Sequence, residues 1–250
     1  MPAGDSGVRR TGYRRPGGPR LAEMLSATAR LLQAEPDLDT TFQAVVAVTL
    51  SNVPGAEHAG ITTLDKGRRP VTPAASHQLV ERVDAVQYSL REGPCVSAVL
   101  HEQSPVLADD LADDERWPRF GPRAAELGVR SMVSFQLFVH AGTVGALNLY
   151  ATQRRAFGTD AVAIGQLLAS HAAIAIVAAR TTHEMQLALR TRDVIGQAKG
   201  ILMERHKIDA DAAFGLLVKA SQDSNRKLRE VAELVSATGD DPVRAVRLRT

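Results

Sequence analysis

The stretch MVSFQLFVHAGTVGALNLY, residues 132–150, decides the class of fold. Val133, Phe135, Leu137 and Val139 alternate with Ser134, Gln136 and His140. A period of two sends the two sets to opposite faces of a strand. Val144–Tyr150 reads as a second strand, and Ala141–Gly142–Thr143 is short enough to be a tight hairpin loop. An antiparallel sheet is therefore expected near the middle of the chain.

Downstream the pattern changes. No proline occurs from Thr159 to His206, and Gly165, Gly196 and Gly200 are the only strong helix weakeners there. One helix is expected, bending if anywhere near Gly196, and at about 1.5 Å per residue it spans roughly 70 Å. Ile164, Leu168, Ala175, Ala178, Met185 and Leu189 fall close to a heptad seam, interrupted by His171 and Thr182. A helix that long needs a surface for its stripe, so it reads as a dimeric signalling helix. An intramolecular helix with a hidden break is the alternative. Asp209 can then cap Ala210–Gln222, whose apolar face is Ala213, Phe214, Leu217 and Ala220. Ser224 or Asn225 can cap a last helix carrying Leu228, Val231, Ala232, Leu234 and Val235, which Gly239 stops. Three helices with short loops make a small bundle. Its polar face collects Lys199, Arg205, Lys207, Lys219, Arg226, Lys227 and Arg229.

Upstream, Leu21–Gln33 has helical spacing and Pro36 ends it. Asp39 or Thr40 starts a helix over Phe42–Val53. Ala59–Leu64 is a strand, Asp65–Lys66–Gly67 a turn, and residues 71–77 a returning partner. Helices follow at Leu79–Tyr88, Cys95–His101 and Pro118–Leu127, with a short strand at Val106–Leu107. The class is α+β.

The 250 residues are 44% hydrophobic and 23% charged, which excludes wholesale disorder and supports a sizeable core. Only 4% are aromatic, so a nucleic-acid binder here is expected to work through Lys, Arg and Asn rather than stacked rings. One cysteine excludes an internal disulfide and a Cys-rich zinc site, and the seven histidines show no paired metal spacing. No P-loop, dinucleotide fingerprint or nucleophile elbow occurs. The net charge of +2 hides an asymmetry: residues 1–20 carry five Arg against one Asp, residues 21–180 carry 13 Lys/Arg against 17 Asp/Glu, and residues 181–250 carry 12 against 10. Within residues 190–229, nine Lys/Arg face five Asp/Glu, a local +4 that suits a polyanion. The N-terminal arginines are followed by no apolar run, so no signal peptide is read. Ala161–Ala179 is interrupted by Gln166, Ser170 and His171 and reads as a packed helix, not a membrane span. A cytoplasmic location is expected.

Three local features bear on chemistry. Cys95 stands at a helix start, where a thiolate is favoured, although a small buried residue is the blander reading. Asp109–Asp110 and Asp113–Asp114–Glu115 form an acidic loop that either holds a cation or is solvated and caps a helix. Trp117 either lines a pocket or packs.

Residues 192–235 resemble the ANTAR domain through Ala198–Lys199–Gly200, Ala213–Phe214, Leu217, Ala220, Asn225–Arg226–Lys227–Leu228 and Val231–Ala232. The resemblance implies a three-helix module whose dimers grip stem-loops in nascent mRNA leaders and prevent termination. On this basis Lys199, Lys219, Asn225, Arg226, Lys227 and Arg229 are the candidate RNA contacts, with Ala198 and Gly200 permitting close helix packing. Val218 departs from a common arginine and Lys207 from a common helix-ending glycine, which implies a costlier turn at Lys207. Residues from about 38 to 180 resemble a GAF domain, in the form often joined to ANTAR in actinobacteria. The matching parts are Arg91–Glu92–Gly93–Pro94–Cys95, Asp109–Asp110–Leu111, Glu115–Arg116–Trp117–Pro118, Gly128–Val129–Arg130–Ser131 and Gly145–Tyr150; Gln136 departs from a common proline. That resemblance implies an antiparallel sheet flanked by helices with a ligand pocket, for which Cys95, Trp117 and Ser134 are candidates. It names no cofactor.

The resulting organisation is a basic tail (1–20), a GAF-like sensor (21–180), a helical linker (181–191), an ANTAR-like RNA-binding domain (192–240) and a C-terminal tail (241–250). The expected function is signal-responsive antitermination by a non-enzymatic, homodimeric RNA binder with a possible small-molecule ligand. A DNA-binding regulator and a cyclic-nucleotide-handling enzyme are the alternatives.

Overall fold

A computed structural model describes residues 37–65, 67–100, 105–139 and 142–242, with 23, 26–28, 30 and 35. The expected basic tail, most of Leu21–Gln33 and residues 243–250 lie outside the described residues. Two compact units divide the chain after Arg180.

Helix α1 (Leu38–Asn52) starts earlier than the sequence suggests, because Asp37 is its cap. The Asp37 carboxylate accepts from the Thr40 amide at 2.9 Å, and Thr40 Oγ1 accepts from the Asp37 amide, a capping box. Asp39 sits in the first turn, where a negative charge is favoured. Strands β1 (His58–Leu64) and β2 (Pro70–Ala75) are followed by α2 (Gln78–Leu90), α3 (Pro94–Leu100), β3 (Val106–Ala108), a 3-10 turn (Leu111–Asp113) and α4 (Phe120–Glu126). Strands β4 (Ser131–Val139) and β5 (Gly142–Ala151) complete a five-stranded antiparallel sheet ordered β2-β1-β5-β4-β3. Val139 pairs with Gly142, so the β4–β5 link is shorter than expected and Thr143 belongs to the strand.

The alternation in β4 separates two cores rather than core from solvent. Val133, Phe135 and Leu137 join Leu147, Leu149, Ile61 and α1 residues Phe42, Val45 and Val46 on one face. Met132 joins Ala146, Tyr150, Val80, Val83, Cys95, Trp117 and Phe120 on the other. Ser134 and Asn148, paired across the two strands, are fully buried. That inner face, roofed by α2, α3 and α4, is where the polar residues of the sheet collect.

Helix α5 (Thr159–His206) is one 48-residue element. A Cβ at Gly165 would stand 2.4 Å from Phe135 Cζ, so this glycine lets the helix lie on the sheet. The expected heptad seam divides. Leu168 is buried in the first unit's own core, whereas Ala178, Met185 (61% exposed) and Leu189 (54% exposed) face outward, as does neighbouring Ile174. Period 3.6 carries the stripe round the helix, so one seam cannot serve both burial sites. By length and composition alone α5 is apolar enough to cross a membrane, with mean hydropathy 1.9 over its best 18 residues. Leu168, Ala169, Ala172, Ala173 and Ile176 of that stretch are nevertheless buried against the sheet.

In the second unit, α6 (Ala210–Ser224) and α7 (Leu228–Thr238) pack with the end of α5 around Ala198, Leu202, Ala213, Leu217, Val231 and Val235. Asp209 caps α6 as expected, its carboxylate accepting from the Ala212 amide at 2.8 Å. The next turn differs from expectation. Ser224 Oγ donates back to the Ala220 carbonyl, and Asn225 is the left-handed residue that ends α6 (φ 51°). Asn tolerates that conformation better than most residues. Lys227 is the backbone cap of α7, with no side-chain cap bond. Lys207 ends α5 with φ 55°, the strained turn foreseen from its replacing a glycine.

Candidate functional site

The inner face of the sheet carries a buried hydrogen-bond chain. Asp84 on α2 is wholly buried, and its carboxylate accepts from Tyr150 Oη (2.5 Å), Thr72 Oγ1 (2.8 Å) and Gln87 Nε2 (2.9 Å). Tyr88 Oη lies 2.7 Å from Thr72 Oγ1 and 2.8 Å from Thr62 Oγ1. Thr62 Oγ1 in turn accepts from Asn148 Nδ2 (2.9 Å) and Cys95 Sγ (3.1 Å). With Asp84 ionised the donor order is fixed. Thr72 gives its proton to Asp84, Tyr88 gives to Thr72, and Thr62 gives to Tyr88. The chain is thus polarised from Asn148 and Cys95 towards one carboxylate. Burial pushes the Asp84 pKa up to about 6 against the pull of its Tyr150, Thr72 and Gln87 donors. Burial and the Asp84 charge together raise the tyrosine hydroxyls of Tyr88 and Tyr150. Ser134 Oγ and Asn148 Oδ1, both buried, have no hydrogen-bond partner among the described residues.

The loops around this face are fixed by their own motifs. Arg91 ends α2 at φ 55°, and Gly93 (φ 126°) lets the turn wrap Gln87, whose Oε1 a Cβ would approach to 2.3 Å. Gln87 Oε1 also accepts from the Cys95 amide at 3.0 Å. Glu92 supplies the missing cap of α4, accepting from the Arg119 and Phe120 amides at 3.0 and 3.2 Å. The acidic loop is neutralised by arginines: Asp110 takes Arg130 and Arg154, and Asp114 takes Arg116. Among the described residues no group of three His, Cys, Asp or Glu is placed to hold a metal.

In the second unit the basic side chains fall on two surfaces. Asn225, Arg226 and Lys227 share the α6–α7 turn, with Asn225 and Lys227 exposed. Arg226 lines a concavity with Glu230 and Glu233, and Arg229 is paired to Glu233 at 3.2 Å. A carboxylate therefore competes with any anion for Arg229. Lys219 is exposed on α6. Lys199 on α5 lies with its Nζ 5.8 Å from the ring centre of Phe214 on α6.

A GAF domain model matches residues 35–177, more than half of the chain, and an ANTAR domain model matches residues 183–235. The chain belongs to the GAF family and carries an ANTAR domain. No curated protein matches the sequence. Solved structures share the fold of the GAF part. The GAF domain of a phosphoenolpyruvate-protein phosphotransferase from Coxiella burnetii is 18% identical, with TM-score 0.52 over 66% of this chain and 96% of its own. The corresponding Acinetobacter domain is 13% identical, with TM-score 0.51 over 66% and 98%. A free methionine-R-sulfoxide reductase from Neisseria meningitidis, solved with its substrate, is 17% identical, with TM-score 0.52 over 65% and 91%. A sensory domain joined to an ANTAR domain is the make-up of a regulatory protein.

Within the GAF domain the sequence-derived pocket residues have different fates. Cys95 is buried, and desolvation followed by the Asp84 charge pushes its thiol up to about 12. Of the two readings of Cys95, the small buried residue holds and the thiolate does not: apolar burial outweighs the dipole of a seven-residue helix. Trp117 packs in the core, its Nε1 donating to Ser97 Oγ at 3.3 Å and Arg116 stacking 4.3 Å from its ring. Ser134 lies on the inner face beside Asn148. Sequence reasoning missed Asp84, Thr62, Thr72, Tyr88, Tyr150 and Asn148, because they come from four separate elements. Asp84 alone left a signal, as a charge on the apolar side of an amphipathic helix. In the ANTAR domain, Ala198 packs as expected, but Gly200 does not: a Cβ there meets nothing within 4 Å.

Proposed function

We propose that this protein is a cytoplasmic, homodimeric, signal-responsive antitermination regulator that binds hairpins in nascent mRNA and senses a ligand or partner through its GAF domain. The observation that carries the reading is the ANTAR match over a bundle whose Lys199, Lys219, Asn225 and Lys227 stand at the surface. Lysines neutralise phosphates, and Asn and Arg read unstacked loop bases. The domain allotment follows: sensor 21–180, linker 181–191, RNA-binding domain 192–240. The exposed Ile174, Ala178 and Met185 support pairing of α5 with a second copy.

For the sensor, the unpaired Ser134 Oγ and Asn148 Oδ1 favour a small molecule that offers hydrogen-bond donors. Burial pushes the protein's one thiol up to about 12, which favours binding over thiol-based turnover. RNA and ligand must then shift each other's affinity by the same factor. Single-round transcription through a leader with tandem hairpins tests the function. Read-through should rise when the protein is added and should respond to whatever small molecule co-purifies with it. Unchanged termination with a dimeric, RNA-saturated protein rules the mechanism out.

A further inference from the structure

The ANTAR domain contains one phenylalanine, Phe214, and it is 40% exposed. A core position would be expected for the only phenylalanine in a bundle this small. Phe is also a poorer helix former than Leu, so neither packing nor propensity explains an exposed ring here. Its surroundings are unusual in a consistent direction. Lys199 Nζ lies 5.8 Å from the ring centre, within range of a cation–π contact. Arg192, Gly196, Lys199 and Met203 recur at spacings of four, three and four, so they share one face of α5. Met203 is 36% exposed. A Cβ at Gly196 would meet nothing within 4 Å, so this glycine weakens the helix without any packing reason inside the chain. A shallow, open concavity of about 1050 Å³ runs along α5 beside this site; Arg192, Gly196 and Lys199 line it together with Glu184 and Asp193, and Phe214 lies outside its lining. Lys199 and an exposed ring thus meet, and Gly196 and Arg192 continue the same face of α5 beyond them. Such a surface matches a flipped-out base joined to its phosphates: the ring stacks on the base, the cations hold the backbone, and the glycine allows close approach.

We infer that Phe214 is a stacking platform for an unpaired RNA base, with Lys199 and Arg192 holding the adjoining phosphates. This rests on the RNA-binding reading above and adds a residue and a chemistry to it. It also revises the expectation that binding here proceeds without rings: a low aromatic count leaves room for one ring in the right place.

The test uses the full-length protein and two probes, a hairpin RNA with an unpaired purine loop and a fully paired duplex RNA of equal length. Phe214→Leu keeps the apolar bulk and the helix, and circular dichroism checks the fold. It should weaken hairpin binding roughly tenfold, leave duplex binding unchanged and leave the salt dependence of hairpin binding unchanged. Lys199→Gln should weaken binding and flatten the salt dependence by about one ion. Phe214→Trp should restore affinity, and its fluorescence should be quenched by the hairpin but not by the duplex. Wild-type hairpin binding with no loss in Phe214→Leu overturns this inference and leaves the RNA reading standing. A wild-type chain that binds no hairpin overturns both. A Phe214→Leu variant that changes oligomeric state, with affinity tracking only the dimer fraction, overturns it in favour of a protein contact.

Discussion

Replacing Asp84 by Asn tests the buried chain of the GAF domain through its pH dependence. Burial raises the Asp84 pKa from 3.8 to about 6, despite donors from Tyr150, Thr72 and Gln87. The unfolded chain titrates near the ordinary value of ~3.9. Between those values the folded protein holds a proton that the unfolded chain has released. The contribution to stability is fully present below about pH 4 and is lost as pH rises through about 6. A gap of about two pH units corresponds to ~3 kcal/mol missing at pH 7.5. Three carboxyls shift the other way. Hydrogen bonds from the Arg69 amide and guanidinium lower Asp65; at Asp110 and Asp114 burial pushes up, but Arg130 and Arg116 outweigh it. Their stabilisation is lost only as pH falls below the ordinary carboxylate value, outside the Asp84 window.

In Asp84→Asn the remaining carbonyl still accepts from Tyr150 and Gln87, and the new NH2 donates to Thr72, whose hydroxyl turns to Tyr88. The variant should therefore fold. Trp117, the only tryptophan, is buried in the GAF core and reports that domain's unfolding. Urea titrations between pH 4.5 and 7.5 should show the variant gaining stability over wild type as pH rises, by up to ~3 kcal/mol. A difference that stays flat between pH 5 and 7, or that moves against the variant as pH rises, refutes the reasoning.

Further outcomes follow from single contacts. Gly165→Ala places a Cβ 2.4 Å from Phe135 Cζ and should destabilise the GAF domain by about 1–3 kcal/mol despite the helix preference for Ala; Trp117 fluorescence unfolding reads it. Lys207→Gly relieves the left-handed turn at φ 55° and should stabilise the ANTAR bundle by about 1 kcal/mol in denaturant unfolding followed by circular dichroism. Met185→Glu puts a charge on the exposed stripe of α5 and should shift the protein to monomer in sedimentation equilibrium, with no change in the unfolding midpoint of the GAF domain.

What the sequence made legible was what period and punctuation encode. The alternation from Val133 to Val139 gave β4, the proline-free run from Thr159 gave α5, and Asp209 gave the start of α6. Register was harder. The stripe Ile164–Leu168–Ala175–Met185 looks continuous in sequence, yet Leu168 turns into the sheet and Met185 turns to solvent. Caps were ambiguous where several candidates adjoin: Asp37, Asp39 and Thr40 are all good caps, and only the reciprocal bond with Thr40 selects Asp37. The buried chain around Asp84 was invisible because Thr62, Thr72, Tyr150 and Asn148 are ordinary strand residues until the order β2-β1-β5-β4 sets them side by side. Phe214 was read as core by its helical spacing, since a residue flanking the buried stripe has the same period as one inside it.

Regulation of this kind requires that the ANTAR domain bind structured RNA through its surface cations. The most direct measurement is the affinity of the full-length protein for a tandem-hairpin leader RNA across a salt series, beside duplex DNA of the same sequence. Hairpin RNA should be preferred over DNA, with log K falling linearly with log salt and a shallower slope in Lys227→Gln. Equal or tighter binding to the duplex DNA, or hairpin affinity that ignores salt, contradicts it.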